Sequence, residues 1–261
     1  MTRIDEKAFW ERRLAADWTE SGVGYHALGR QFNAWVYRVR REVFLREASS
    51  LALGATSRVL DVGSGTGVYV RCWKQLGIGD VVGSDLTDAA VERLRERHPD
   101  VKFVRADVSR AQDELPAASF DAVSCMDVLF HITDDDRYLA AVQNLARVLR
   151  PGGYAVLSEN FLHRGPEYTE HQVNRTMPWI VSALEDAGLR VERRVPMLYL
   201  MNAQVDAPPI WRKLWGGALR AATLTPPTGW LAGAALFPIE RRLVIRADES
   251  PTTEMMICRR T

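Results

Sequence analysis

The chain reads as an α/β domain built on a parallel sheet with helices on both faces. Three observations predict it. From residue 58 onward, short apolar runs that suit buried strands alternate with stretches of helical period. The first of these runs passes directly into Gly63-Ser64-Gly65-Thr66-Gly67, a tight turn, and then into a helical pattern over 68–76. The 261 residues are 47% hydrophobic and 26% charged, which is ordinary globular composition and enough chain for one large domain with additions.

The first fifty residues read as helices. Phe9, Trp10, Leu14 and Trp18 recur at roughly helical spacing, and Ser21-Gly22-Val23-Gly24-Tyr25 then breaks the pattern as a flexible joint with an aromatic attached. A second helix is predicted over 32–53, with Trp35, Val39, Val43 and Leu45 on its apolar side. Within it, Arg38-Val39-Arg40-Arg41 reads as a solvated face rather than a phosphate site.

Five strands follow, at 58–62, 80–84, 101–105, 120–125 and 154–158. The helix after the second begins at Thr87, a good N-cap, and ends at His98-Pro99. Another spans 134–149, where Arg150-Pro151-Gly152-Gly153 stops it and turns the chain. A helix over 174–187, a sixth strand over 189–195 and a late strand over 253–258 complete the pattern.

Between the last two strands lie some fifty residues rich in Pro, Gly and Trp, including Trp211, Trp215 and Trp230. From Ala221 to Ile239 no residue is charged. That length approaches the ~20 apolar residues of a membrane span, but Pro226-Pro227, Gly229 and Pro238 are expected to break such a helix. A packed cap, a lid over an apolar substrate and a membrane-surface patch within 221–239 all remain open.

Charge narrows the function. A formal net charge of +1 gives no broad footprint for nucleic acid, and thirty arginines against four lysines reflect genome composition rather than phosphate binding. Cys72, Cys125 and Cys258 are scattered, with no metal-ligand spacing, and read as reduced, buried thiols. The opening Met1-Thr2-Arg3-Ile4-Asp5-Glu6-Lys7 lacks the apolar core of a signal peptide, so the expected setting is cytoplasmic.

The glycine turn specifies a cofactor more closely. A dinucleotide turn has the pattern G-x-G-x-x-G, whereas this one is Asp61-x-Gly63-x-Gly65-x-Gly67. It resembles the first motif of class I S-adenosylmethionine-dependent methyltransferases, and the resemblance extends over about residues 55–200. It implies a Rossmann-like, seven-stranded, mostly parallel sheet with its last strand antiparallel, and opposes a nicotinamide-dependent reductase. On this reading the chain divides into an N-terminal helical lid (1–54), the cofactor-binding core (55–200), a hydrophobic cap or insert (201–250) and a final core strand (251–261).

The resemblance also implies roles. Gly63, Ser64, Gly65 and Gly67 let the cofactor lie on bare backbone, and Asp61 gives the turn an acceptor for its ammonium group. Asp85, at the end of the second strand and followed by Leu86, matches the carboxylate that accepts both ribose hydroxyls. Asp107 matches the residue that receives the adenine amino group, with the backbone of Val108 meeting a ring nitrogen. Met126 and Asp127 line the methionine end. Tyr25 is placed as an aromatic lid near the sulfonium. The segment 125–132 lacks the Asn/Asp-Pro-Pro-aromatic motif of methylases that act on exocyclic base nitrogens.

The expected activity is transfer of a methyl group from S-adenosyl-L-methionine, leaving S-adenosyl-L-homocysteine, to a small, hydrophobic or lipid-like acceptor in specialised biosynthesis. Oxygen is the expected site, because histidine suits taking a proton from a hydroxyl near neutral pH. The candidate bases are His131, His163 and Glu159, and no metal is needed. Transfer to nitrogen or carbon, or a non-catalytic protein that binds the cofactor and serves a partner enzyme, are the alternatives.

Overall fold

The structure, a computed structural model, describes residues 5–261. Three N-terminal helices come first: α1 (Glu6–Ala16), α2 (Glu20–Val23) and α3 (Gly29–Ala48). Asp5 caps α1 by accepting from the Ala8 N–H. The Ser49 and Ser50 hydroxyls donate back to the Arg46 and Glu47 carbonyls, and α3 stops there rather than at residue 53.

The segment 21–25 is not a flexible joint. A Cβ on Gly22 would stand 1.7 Å from the Asp17 carbonyl oxygen. Arg13 donates to the carbonyls of Gly22 and Gly24, at 2.5 and 2.6 Å. These glycines serve close backbone approach, not motion.

The core then alternates: β1 (Arg58–Val62), α4 (Val68–Gln75), β2 (Asp80–Asp85), α5 (Asp88–Arg97), β3 (Lys102–Arg105), β4 (Phe120–Cys125), α6 (Asp135–Val148) and β5 (Leu149–Glu159). A small hairpin of β6 (Glu167–Tyr168) and β7 (Val173–Asn174), not anticipated from the sequence, precedes α7 (Met177–Asp186) and β8 (Leu189–Pro196). After α8 (Pro209–Ala222) and α9 (Pro226–Arg246) comes β9 (Glu254–Arg260).

Seven strands form one sheet in the order β3-β2-β1-β4-β5-β9-β8. The first five are parallel, and β9 lies antiparallel between β5 and β8. Because alternate residues of a strand face opposite sides, β1 feeds two cores. Val59 joins the one built with α3 and α4, around Phe44, Tyr69 and Trp73. Leu60 and Val62 join the one around Tyr138 and Leu145 of α6. The strand order reverses between β1 and β4, where an open α/β sheet leaves a crevice at its carboxyl ends.

The prolines of the insert do not break its helix. Pro226 and Pro227 occupy the first turn of α9, behind the Thr225 cap, where a missing N–H costs nothing. Pro238 is carried inside the helix. No described helix is long and apolar enough to cross a membrane.

Candidate active site

The site is assembled at the carboxyl ends of β1, β2 and β4. Gly63, Gly65 and Gly67 all have positive φ (69°, 51° and 75°). A Cβ on Gly63 would stand 2.2 Å from the Val128 side chain, so only bare backbone fits that wall. Asp85 ties this turn to the end of β2: its Oδ2 accepts from the Gly65 N–H at 2.9 Å, and its Oδ1 from the N–H and hydroxyl of Thr87. Burial raises the Asp85 pKa, and those hydrogen bonds act against the shift.

Asp107, past the end of β3, accepts from the Ser109 N–H and hydroxyl on one oxygen and from Arg137 on the other. Arg137 also holds Glu6 of α1 at 2.8 Å. Through this relay α1 is fastened over the crevice. Trp18 adds a second clasp, its indole N–H donating to the Gly65 carbonyl at 2.9 Å.

A chamber of about 130 Å³ lies inside this frame. Gly63, Ser64, Gly65, Asp85, Leu86, Asp107, Val108, Met126 and Asp127 line it, so nine of the residues expected to hold a cofactor converge on one cavity. Trp10, Leu14 and Val23 roof it.

Asp61 and Gly67 are not in its wall. Asp61 lies beneath the turn, where Ser124 donates to Oδ1 at 2.6 Å and Oδ2 has no partner among the described residues. Burial pushes its pKa up to about 7. It underlies the turn, outside the lining of the smaller chamber. Gly67 caps α4 in the left-handed conformation.

A second chamber, of about 490 Å³, shares Trp10, Val23, Tyr37, Asp127 and His131 with the first. Tyr25 lines this larger space and not the smaller one, which moves it away from the cofactor position expected for it. Its hydroxyl accepts from Arg220 of α8.

Asp127 divides the two chambers. It holds a φ of 60°, uncommon outside glycine. Its N–H donates to the Ser158 hydroxyl at 2.7 Å, and its Oδ2 lies 2.5 Å from Arg40 Nη1. Arg40 is 7% exposed. The arginine run on α3 is therefore not a uniformly solvated face.

His131 borders both chambers. Its Nδ1 lies 2.9 Å from the His171 carbonyl, which can only accept, so Nδ1 carries the proton and Nε2 the lone pair. Burial lowers its pKa to about 4. The imidazole is thus neutral at physiological pH and a far weaker base than a free histidine.

The other two candidate bases lie elsewhere. Glu159 is buried in the core, accepting from the Tyr138 hydroxyl at 2.8 Å, and burial raises its pKa to about 8. His163 is on the surface, where Asp206 at 2.6 Å raises its pKa and Glu249 stands 3.4 Å away. Neither borders a chamber.

Sequence reasoning missed Arg40, Tyr37, Arg137, His171 and Tyr69, the last of which also lines the smaller chamber. For Arg40 a signal existed: buried Val36, Arg40, Val43, Phe44 and Glu47 recur at three- and four-residue steps along α3.

Residues 59–153 match the methyltransferase domain family. The chain is 36% identical over 106 residues to a ubiquinone biosynthesis O-methyltransferase of Paracidovorax citrulli, covering 39% of this chain and 42% of that protein. It is 37% identical over 118 residues to a demethylmenaquinone methyltransferase of Beutenbergia cavernae, covering 44% and 46%. The chain thus spans a little under half the length of these two relatives. With a ubiquinone biosynthesis O-methyltransferase of Xanthomonas axonopodis pv. citri the match is 32% over 166 residues, 56% of this chain and 67% of that protein. Its fold resembles an S-adenosylmethionine-dependent methyltransferase from Mesorhizobium loti, with a TM-score of 0.55 at 19% identity over 85% of this chain and 98% of that one.

Proposed function

The chain belongs to the class I S-adenosylmethionine-dependent methyltransferases, and from that membership we propose that it methylates a hydroxyl oxygen of a small, apolar acceptor. The observation that carries this is the pair of chambers meeting at Asp127 and His131, the smaller cradled by the glycine turn and the larger lined by Trp10, Tyr25, Tyr37 and Phe130 together with polar groups that include Arg13, Asn33 and Arg40.

When bound, S-adenosylmethionine supplies a methyl group already activated by its sulfonium. The residues present fit it: a backbone cradle that admits no Cβ at Gly63, a carboxylate at Asp85 for the ribose diol, and Asp107 with the Val108 backbone for the adenine.

In the larger chamber, His131 Nε2 accepts from the acceptor hydroxyl and orients it. A base with a pKa of about 4 contributes orientation rather than wholesale proton removal. Trp10 and Phe130 supply apolar walls, and α1 excludes water. Alignment of this kind is worth roughly 7–11 kcal/mol at best. Two relatives with a quinone in their names support an apolar ring as the acceptor class.

The test is isothermal titration with S-adenosylmethionine and S-adenosylhomocysteine, with NADH as control, followed by turnover of hydrophobic phenols and catechols. Micromolar binding of the first two with transfer to a hydroxyl upholds the reading. Cofactor binding with transfer only to nitrogen or carbon overturns the oxygen assignment.

A further inference from the structure

We propose that α8 and α9 form a docking face for an anionic lipid bilayer, resting in its interface without crossing it. The inference does not depend on methyl transfer. Eight of the nine large apolar side chains that the structure leaves exposed belong to these two helices and their connector, Tyr168 being the ninth.

Their placement follows from what each helix buries. In α8 the one buried residue is Leu219. The opposite side presents Ile210, Leu214, Gly217, Ala218 and Ala221, with Ile210 75% exposed. In α9, Gly229, Gly233, Phe237, Glu240 and Val244 form the inner stripe. The outer side presents Leu231, Ala235, Pro238 and Ile245, all exposed. Leu224, in the connector, is 80% exposed. Two adjoining helices thus turn apolar faces to solvent, well beyond the scattered apolar residues of an ordinary surface.

Charge selects the occupant. From Pro208 to Ala247 the chain carries Arg212, Lys213, Arg220, Arg241, Arg242 and Arg246 against a single acid, Glu240. That acid is buried and spent on the N–H groups of Tyr199, Leu200 and Met201. The exposed charges of the two helices are therefore all cations; Arg212 and Arg241 pair with Glu167 and Glu42 beside them, Asp248 and Glu249 follow α9, and Lys213, Arg242 and Arg246 enter no salt bridge among the described residues. Apolar side chains among Lys and Arg, with tryptophans at the margin (Trp211, Trp230), suit the boundary between anionic headgroups and acyl chains. A second copy of the chain would bring the same cations face to face, which disfavours self-association.

The face is tied to the larger chamber. Arg220 donates to the Tyr25 hydroxyl at 3.1 Å, Trp215 to the Leu200 carbonyl at 2.8 Å, and Trp211 to Gln204. Tyr25 itself lines that chamber.

Vesicle flotation of the full chain tests the proposal, with phosphatidylcholine alone and phosphatidylcholine mixed with phosphatidylglycerol. The expected result is binding to the mixed vesicles that weakens with salt and is slight on phosphatidylcholine. Leu214→Glu with Leu231→Glu should cut binding by about tenfold or more. Lys213→Ala, Arg242→Ala and Arg246→Ala should each cut it by about fivefold. These side chains are exposed, so unfolding temperature and S-adenosylhomocysteine affinity should hold. Folded protein that ignores mixed vesicles overturns the proposal, as does binding that the substitutions leave unchanged. A dimer abolished by the same substitutions, without vesicle binding, would assign the face to a second copy and overturn it equally.

Discussion

Arg40 Nη1 lies 2.5 Å from the carboxylate of Asp127, across 87 residues of sequence, and this contact joins the N-terminal helices to the wall between the two chambers. The pair is almost fully buried. Arg40→Ala would leave the Asp127 carboxylate without its cation in a backbone conformation that already carries strain. Thermal or denaturant unfolding should show a loss of about 3–5 kcal/mol, the cost of breaking a buried pair. Arg40→Lys should recover part of it. Stability unchanged in Arg40→Ala would mean that the pair does not hold the wall.

Asp85→Asn should weaken S-adenosylhomocysteine binding by about tenfold, because it removes the charge that strengthens acceptance from a diol. The amide oxygen can still accept from Gly65 or Thr87, so the fold should survive. Titration calorimetry reads the affinity, and an unaltered constant would take Asp85 out of the ribose site.

His131→Asn should lower kcat while leaving cofactor affinity within about twofold, since an amide orients a hydroxyl less well than the imidazole Nε2. Burial holds the His131 pKa at about 4. The pH profile of wild-type kcat should therefore show no histidine inflection between pH 6 and 8. An inflection there that His131→Asn removes would restore the residue as a general base.

Stability should fall as pH rises from about 6.5 to about 8; below that the lowered pKa of His131, which the unfolded chain protonates first, works in the opposite sense. The pKa of Glu159 goes from an ordinary 4.5 to about 8 on folding, and that of Asp61 from 3.8 to about 7. Between those values the native state keeps protons that the unfolded chain has released, so each group costs stability at about 1.4 kcal/mol per pH unit. Glu159→Gln should flatten the alkaline side of the curve and raise the unfolding temperature at pH 8. A curve identical to wild type would show that Glu159 ionises in the native state without cost.

The parallel strands were legible because a strand buried on both faces reads as a plain apolar run. The glycine turn was legible because close backbone approach leaves no other residue type available. What escaped the sequence depends on the third dimension. Arg40 hides in an arginine run until the burial of its neighbours Val36 and Phe44 sets the face it shares. Pro226 and Pro227 look like breakers until Thr225 places them in a first turn. His131 has the residue type of a base, but its strength is set by surroundings from α1 and the β6–β7 hairpin, which bring Trp10 and His171 against it.

The position of β9 has a consequence for biogenesis. In chain order β9 comes after the two-helix insert, yet in the sheet it fills the gap between β5 and β8. During synthesis, β5 and β8 must wait with open edges while α8 and α9 emerge. Unpaired edges are templates for wrong pairing, and late, non-local strand insertion is slow. The nascent chain is thus most prone to aggregation in that interval. A chaperone that shields apolar strand edges should raise the folded yield most if it engages then, after β8 has emerged and before β9 arrives.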